Sequence, residues 1–469
     1  MKLSVLLDRS LERDVEVQGL CLDSRFIHPG EVFVALTGDA LDGRDYVAAA
    51  LERGAVAILS ERPLDVTLDC PVIVIEQLRM QLSDLAARFY QHPGADLQIV
   101  GVTGTNGKSS VCDLLQQAWS ALGVSGAAIG TLGVYGVTQW RRPGMTTADP
   151  IQVQAELAML RDAGVSHVAM EVSSHGLVQG RVEAVPFQCA VFTNLSRDHL
   201  DYHGTLDAYA QAKQRLFVDL QPAARVLHAQ TPAAMQVQDS TSVLFGEGAS
   251  LSVSDAQASP TGWSFVLNAQ GDSVKTSTQL LGAFNLDNLL AVVGVLQTQG
   301  FELAQIAELL PGLKAVPGRM EWVSHQPAVL VDYAHTPDGL SAALQAARQH
   351  CQGRLWVVFG AGGDRDAGKR PMMGQVAGDL ADQIVVTSDN PRSEDPASII
   401  HQIQAGVGRA SQAIEDRIEA IHFALSEMQD DDTLVIAGKG HETLQVLATG
   451  SIHHDDREVA GHWLESQPC

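Results

Sequence analysis

Short apolar runs recur along the chain, each stopped by glycine or a polar cluster, and between them apolar residues return at helical spacing. Strand-like runs alternating with helix-like stretches predict a parallel sheet flanked by helices. Residues 1 to 90 carry EVFVAL (31–36), AVAILS (55–60) and PVIVIE (71–76), and then the turn-type linker Gln91-His92-Pro93-Gly94. A second stretch opens with LQIVGVTG (97–104) and the helix-like VCDLLQQAWSAL (111–122), followed by HVAMEVS (167–173) and CAVFTNL (189–195). Alternation on either side of 268–272 predicts a hairpin over 264–282. After a second linker, Val316-Pro317-Gly318, the rhythm restarts with AVLVDYAH (328–335), RLWVVFGAGG (354–363), QIVVTSD (383–389) and TLVIAGKG (433–440). The expected fold is α/β with three domains, 1–93, 94–317 and 318–469. Ligands in such folds bind beyond the carboxyl ends of the strands, and the Gly-rich and charged clusters fall there. No repeat of 20–50 residues is visible, which argues against a solenoid.

The length of 469 residues agrees with three domains at roughly 150 residues each. Hydrophobic residues at 45% and charged residues at 18% exclude global disorder. Thirty-one Lys and Arg against 55 Asp and Glu give −24, which argues against a nucleic-acid grip or a polybasic membrane anchor. An anionic ligand would need its positive contacts concentrated. Only seven cations are Lys, and Lys108, Lys369 and Lys439 sit in Gly-rich segments. Six cysteines, Cys21, Cys70, Cys112, Cys189, Cys351 and Cys469, show no CxxC spacing and point to a reduced cytoplasmic chain. The opening MKLSVLLDRSLERD is too short an apolar run for a signal peptide, and the apolar stretch 289–296 is too short to span a membrane. A cytoplasmic monomer is expected, with no nucleic-acid or membrane partner.

The strongest local signal is GVTGTNGKSS (101–110), between a strand and a helix, the setting of a P-loop. Its glycines let backbone N–H groups approach phosphate, and the helix start adds positive potential. Lys108 would reach the terminal phosphates and Ser109 would meet Mg²⁺. Val102 stands where the first glycine of the usual spacing belongs, and the plain alternative is an ordinary strand–turn–helix loop. At the next strand end, Glu171 is a metal candidate, while Ser173 and Ser174 could equally cap a helix. The run 194–203 ends another strand; within it His199 is a weaker Mg²⁺ candidate than Glu171, because Mg²⁺ prefers hard oxygens. Lys213 lies on a helix and could be a surface lysine. In the last stretch, GAGGDRD (360–366), TSDNPR (387–392) and GKGHE (438–442) each follow a strand. Each could be a plain turn. Together they place Arg365, Arg392, Lys439 and Glu442 at one sheet edge, a set suited to an amino acid, with carboxylate to Arg and ammonium to Glu.

The ordered motifs GTNGKS (104–109), EVSSHGL (171–177), NLSRDHLDYH (194–203), AKQRLF (212–217), GAFNLDN (282–288), PGRME (317–321), DYAH (332–335) and GKGHE (438–442) resemble the Mur ligase family over nearly the whole chain. The resemblance implies an N-terminal UDP-binding α/β domain, a central P-loop ATPase domain with a parallel sheet, and a C-terminal Rossmann-like domain. Within the family the chain is similar to the member adding the third peptide residue to UDP-N-acetylmuramoyl-L-Ala-D-Glu. The tetrad Asp389-Asn390-Pro391-Arg392 resembles the form that selects meso-diaminopimelate, whose second carboxylate would match Arg392. The resemblance further implies that Gly104, Thr105, Asn106, Gly107, Lys108, Ser109 and Ser110 hold ATP phosphates, with Ser109, Glu171 and His199 at Mg²⁺. Asn285, Asn288, Arg319, Asp332 and His335 are implied at the nucleotide, and Ser24 at the uracil end. Thr146, Thr147, Ser173, Gln179 and Arg181 are implied at the muramoyl-dipeptide. Arg365, Asp389, Asn390, Pro391, Arg392, Gly438 and Glu442 are implied at diaminopimelate. Lys108, Lys213 and His199 are the implied catalytic set, with Lys213 carried as a carbamate. Met145 and Gly180 depart from the family pattern, where Asn and His are common. The competing readings are a lysine-adding or next-step ligase, a folylpolyglutamate synthetase, a P-loop NTPase that does not ligate, and a UDP-sugar binding module.

Overall fold

The computed structural model describes all residues except 39–40, 66–67, 137–143 and 467–469, so Cys469 lies outside the described residues. The other five cysteines are free thiols. The chain forms two compact units, Met1–Ala249 with Gly294–Gly300, and Ser250–Val293 with Phe301–Cys469.

The first unit begins with a parallel sheet of Gly19–Cys21, Glu31–Ala35, Ala57–Ser60 and Val72–Val74, in chain order. Its apolar runs are unbroken because both faces are covered. Val32 and Val34 pack with Leu82 and Leu85 of the helix Leu78–Phe89, while Phe33 and Ala35 pack with Val47 and Ala50 on the other side.

The same unit contains the strands Ser242–Phe245, Ala224–His228, Phe187–Phe192, Gln98–Thr103, His167–Glu171, Gly126–Gly130 and Gly133–Tyr135, in that spatial order. All neighbouring pairs are parallel except the last. Gln98–Thr103 is central, with Val102 opposite both Glu171 and Val191. The glycine-rich loop therefore leaves the middle of the sheet, and the expected helix follows as Lys108–Ala121.

In the second unit, the expected hairpin pairs Gly262–Ala269 with Asp272–Thr278. Gln270 and Gly271 both have positive φ, as a two-residue hairpin turn of matching twist requires. Leu251–Ser259 adds a third antiparallel strand. The main sheet runs Glu321–His325, Ala328–Asp332, Thr433–Ala437, Leu355–Phe359, Gln383–Val386 and Gln412–Ala413, parallel after its first pair. Alternate residues enter opposite cores: Leu330 and Val435 face one, Val329, Val331 and Ile436 the other. The last long strand is inserted between the first two crossover strands, so chain order reverses there, the place where α/β sheets open a binding crevice. Among the described residues, no helix is long and apolar enough to cross a membrane.

Candidate active site

In the first unit the loop 104–110 is clamped from the neighbouring strand. Gly104 has φ 147°, and a Cβ there would lie 1.9 Å from Thr193 Oγ1, so no side chain fits. Thr105 N–H donates to Asn194 O (3.0 Å) and Asn106 N–H to Asn194 Oδ1 (2.9 Å). Thr193 Oγ1 and Asn194 Nδ2 both donate to Asn106 O, at 2.6 and 3.2 Å. Gly107 (φ 85°) turns the chain into the helix that starts at Lys108, with Ser109 and Ser110 in its first turn. Lys108 Nζ donates to Gly104 O (2.9 Å) and Thr105 O (2.8 Å). Lys213 Nζ, on the helix Leu206–Val218, donates to the same Gly104 O at 2.8 Å and lies 4.4 Å from the Tyr209 ring centre. Lys213 is 1% exposed, which rules out the surface-lysine alternative. Burial, reinforced by the Lys108 charge, pushes its pKa down to about 6. At neutral pH its amine is largely uncharged.

Glu171 ends its strand 3% exposed. Ser109 Oγ donates to its Oε1 at 2.9 Å, as does Thr131 N–H, and Thr131 Oγ1 donates to Oε2 at 3.2 Å. Thr146 Oγ1 lies 3.1 Å from Thr131 Oγ1, and Thr147 Oγ1 donates to Glu171 O while accepting from Ser173 N–H, both at 2.9 Å. Ser173 also caps the helix Ser174–Val178 by accepting from Gly176 N–H, so the capping alternative holds alongside its place in the cluster. Arg181 Nη1 donates to Thr147 O (2.5 Å), and its Nε and Nη2 both donate to Gln179 Oε1. Met145 Sδ lies 3.7 Å from Arg181 Nη1, so at this position a weak sulfur acceptor meets the guanidinium. At Gly180, φ is 65° and a Cβ would lie 2.9 Å from Met80 Sδ, so histidine there would be strained.

His199 joins a different group. It is half-exposed, its ring packs against His175 (5.0 Å), and its Nε2 lies 3.5 Å from Asp198 Oδ2. Among the described residues, no three His, Cys, Asp or Glu side chains are grouped as candidate metal ligands. Ser24 is buried at the start of the turn Ser24–Phe26, where Asp23 accepts from Arg25 N–H.

The second unit gathers the remaining residues. Asp332 accepts from Met320 N–H and Ala334 N–H, both at 2.8 Å, and burial raises its pKa. The Arg319 guanidinium lies 4.9 Å from the Tyr333 ring centre, and the His335 ring packs 4.7 Å from the same ring. Asn285 and Asn288 are buried at the start of one helix and joined by an Nδ2-to-Oδ1 bond of 2.9 Å.

At the sheet edge, Asn390 Oδ1 accepts from Val446 N–H (2.9 Å) and Lys439 Nζ (3.2 Å), while its Nδ2 donates to Glu442 Oε2 (2.9 Å). The sequence places Lys439 at the same sheet edge as the arginines and Glu442. It is fully buried, donating to Asn390, to Glu442 Oε2 and to Leu444 O (2.7 Å). An ammonium taken out of water needs such partners, and here the protein supplies them. Gly438 (φ 118°) would place a Cβ 2.5 Å from Asp389 Oδ2, so that carboxylate lies against bare backbone. Arg392 follows Pro391 with φ 53°, held by N–H to Val446 O (3.0 Å) and Nη1 to Gly363 O (2.6 Å). Arg365 is exposed on the loop that contains Gly363.

Sequence reasoning passed over Thr131 and Thr193 and gave Asn194 no role beyond opening the run 194–203; these three hold Glu171 and the loop in place. Their only signal was position: each follows a strand of the same parallel sheet as the loop.

The profile described as Mur ligase family, catalytic domain matches residues 16–90, that of the Mur ligase middle domain matches 102–296, and that of the Mur ligase, glutamate ligase domain matches 318–440. The UDP-N-acetylmuramoyl-L-alanyl-D-glutamate–2,6-diaminopimelate ligase of Xanthomonas campestris pv. campestris (strain 8004) is 46% identical, over 99% of this chain and 97% of its own. The ligase of the same name from Vibrio vulnificus (strain YJ016) is 42% identical, over 96% and 95%. A solved structure bearing that name superposes with a TM-score of 0.76 at 35% identity, covering 99% of both chains. With close relatives along its full length and the clamped glycine-rich loop at the centre of its sheet, the chain belongs to the Mur ligase family.

Proposed function

We propose that the chain is an ATP-dependent ligase that joins meso-diaminopimelate to the D-Glu γ-carboxylate of UDP-N-acetylmuramoyl-L-Ala-D-Glu, a step of peptidoglycan precursor synthesis. The observation that carries this reading is the convergence of Lys108, Lys213 and the Ser109–Glu171 pair around one glycine-rich loop. The names of the relatives supply the substrates.

A carboxylate oxygen of the substrate takes the γ-phosphoryl group of ATP, releasing ADP and leaving an acyl phosphate. The uncharged amine of diaminopimelate attacks the acyl carbon. The tetrahedral adduct expels phosphate and loses the amine proton, leaving an amide. Loop N–H groups and the Lys108 ammonium hold the phosphates in line and offset charge on the transferring group. Ser109 Oγ and the Glu171 carboxylate, two hard oxygen donors 2.9 Å apart, suit Mg²⁺, which takes few protein ligands. When bound, Mg²⁺ would neutralise charge on the β- and γ-phosphates. Thr131 and Thr147 orient Glu171; Thr146, Ser173, Gln179 and Arg181 line the same stretch and are assigned to the muramoyl-dipeptide. Ser24 is assigned to the uridine end, and Asn285, Asn288, Arg319, Asp332 and His335 to the nucleotide.

Lys213, uncharged at neutral pH, is assigned as a carbamate: its nitrogen attacks CO₂ and releases a proton to solvent. Two outcomes are expected. Lys213→Ala lowers ligation by about 10²-fold or more. In wild type, a ¹³C carbamate resonance from labelled bicarbonate is present at pH 8 and fades as pH falls through about 6 and the amine takes a proton. A protein without that resonance at pH 8 contradicts the assignment.

Arg392 supports diaminopimelate over lysine. The second carboxylate of diaminopimelate can take guanidinium N–H groups left over from the bond to Gly363, whereas lysine offers that guanidinium nothing. Arg392→Ala is expected to lower kcat/KM for diaminopimelate by about 30-fold or more, as loss of a charge pair of about 2–5 kcal/mol predicts, with little change for lysine. ADP release with each amino acid in turn is the measurement; equal use of both by wild type would overturn the acceptor assignment.

A further inference from the structure

Arg392 can read a carboxylate only if its guanidinium is held against the loop 360–366, and its own backbone does not favour the position, since φ 53° is a conformation non-glycine residues rarely adopt. What holds it lies one layer further in. Arg370, on the helix Lys369–Leu380, has its side chain 1% exposed. Its Nη1 and Nη2 grip the two carboxylate oxygens of Glu394, each at 2.8 Å, in a bidentate fork. Nη2 also donates to Gly362 O at 3.2 Å. Its buried Nε has no partner. Glu394 Oε1 in turn accepts from Asp364 N–H at 2.5 Å. Asp364 then accepts from Ser393 N–H (3.1 Å) and Ser393 Oγ (2.7 Å). The circuit closes with Gly363 N–H donating to Asn390 O at 2.9 Å. The bonds of Asp364, Ser393 and Gly363 cross between the loop with Arg365 and the turn with Arg392, and Arg370, bonded to Glu394 and to Gly362 O, anchors both to the same helix.

We propose that Arg370 and Glu394 are positioning residues for amino-acid selection: their buried fork fixes the Arg392 turn against the Arg365 loop and thereby sets how strongly the site prefers diaminopimelate to lysine, without touching either. The inference rests on the diaminopimelate-ligase reading above. A neutral or shorter group in the fork leaves the turn free to drift, so the Arg392 guanidinium meets the carboxylate out of line and binding weakens.

The test uses the full chain carrying Glu394→Gln and, separately, Arg370→Lys, with kcat and KM measured for diaminopimelate, lysine, ATP and the UDP-linked dipeptide. The expected result is a KM for diaminopimelate raised about 10-fold or more, kcat within about 2-fold, KM for ATP and the dipeptide unchanged, and a diaminopimelate-to-lysine ratio lowered in parallel. Glu394→Asp, which keeps the charge, should recover part of the loss. A variant that only melts earlier, with its diaminopimelate KM and ratio at wild-type values, overturns the inference, because a merely structural role predicts that outcome. If Arg370→Lys does not fold, Glu394→Gln decides, since Glu394 is one-third exposed. Wild type that does not ligate diaminopimelate overturns the reading of function, whereas wild type that does, with variants unchanged, overturns the brace alone.

Discussion

Lys108→Ala is expected to lower ligation by about 10³-fold or more, the scale set by losing a cation that offsets charge on a transferring phosphoryl group. The fold should not follow. Lys108 Nζ bonds two carbonyls of its own loop, Gly104 O and Thr105 O, and neutral acceptors losing one donor of this kind cost about 1 kcal/mol. ADP release at saturating substrates, with a thermal melt as the control, separates the two effects. Turnover near the wild-type rate with an intact fold would remove the P-loop from the mechanism. A second consequence follows from the shared acceptor. The Lys108 charge helps depress the Lys213 pKa, so removing it moves that pKa back up. The Lys108→Ala protein should therefore show a weaker carbamate signal at pH 7 than wild type, although residue 213 is unchanged.

Asp456→Ala is expected to give the largest loss of stability, about 3–5 kcal/mol, the usual result of leaving one member of a buried ion pair behind. Arg417 and Asp456 have no exposed side-chain surface. Arg417 Nε and Nη2 donate to the two carboxylate oxygens at 2.8 and 2.7 Å, and His454 Nε2 lies 2.9 Å from Oδ1. Arg417 also reaches Ala437 O (3.0 Å) and Ser388 O (3.4 Å), the residues just before Gly438 and Asp389. The melting temperature should fall by roughly 10 °C. Burial alone would raise the Asp456 pKa; the Arg417 charge and hydrogen bonds, with His454, more than reverse it and hold the carboxyl well below its ordinary value of 3.8. The sign follows from linkage: stability from this carboxylate is complete above the unfolded pKa and disappears as pH falls through the folded one. Asp456→Asn should thus be less stable at pH 7 and lose less on acidification below about pH 4. A wild-type melting curve independent of pH below 4, or an Asp456→Ala melt within about 2 °C of wild type, would contradict the account.

The strands were legible because most are covered on both faces and so appear as unbroken apolar runs, such as Leu355–Phe359. The hairpin strands were legible for the opposite reason, alternating burial around a tight turn. Leu251–Ser259 was not: only Leu251 is buried, and the rest presents no period. The glycine-rich loop was legible because Gly-Lys-Ser between a strand and a helix marks a phosphate-binding loop. The groups that hold the loop were not, because Thr131 and Thr193 are ordinary threonines until the sheet order places them beside it. Lys439 shows in the sequence only as a lysine between glycines at a strand end, whereas its burial depends on Asn390, 49 positions away. The Arg417–Asp456 pair, 39 positions apart, carries no local signature at all.

The arrangement at Asn390 bears on how this enzyme could change its acceptor over evolutionary time. Its amide accepts from Val446 N–H and Lys439 and donates to Glu442 at once. Aspartate lacks the donor, leucine lacks both, and glutamine is a methylene too long. Among the described residues, Arg392, two positions on, gives a single side-chain bond, Nη1 to Gly363 O of the loop facing it. Within one tetrad, the chain thus sets a position that can hardly vary beside one that can; if Arg392 selects the acceptor as proposed, a shift in preference is a short mutational path that leaves the frame beneath it intact.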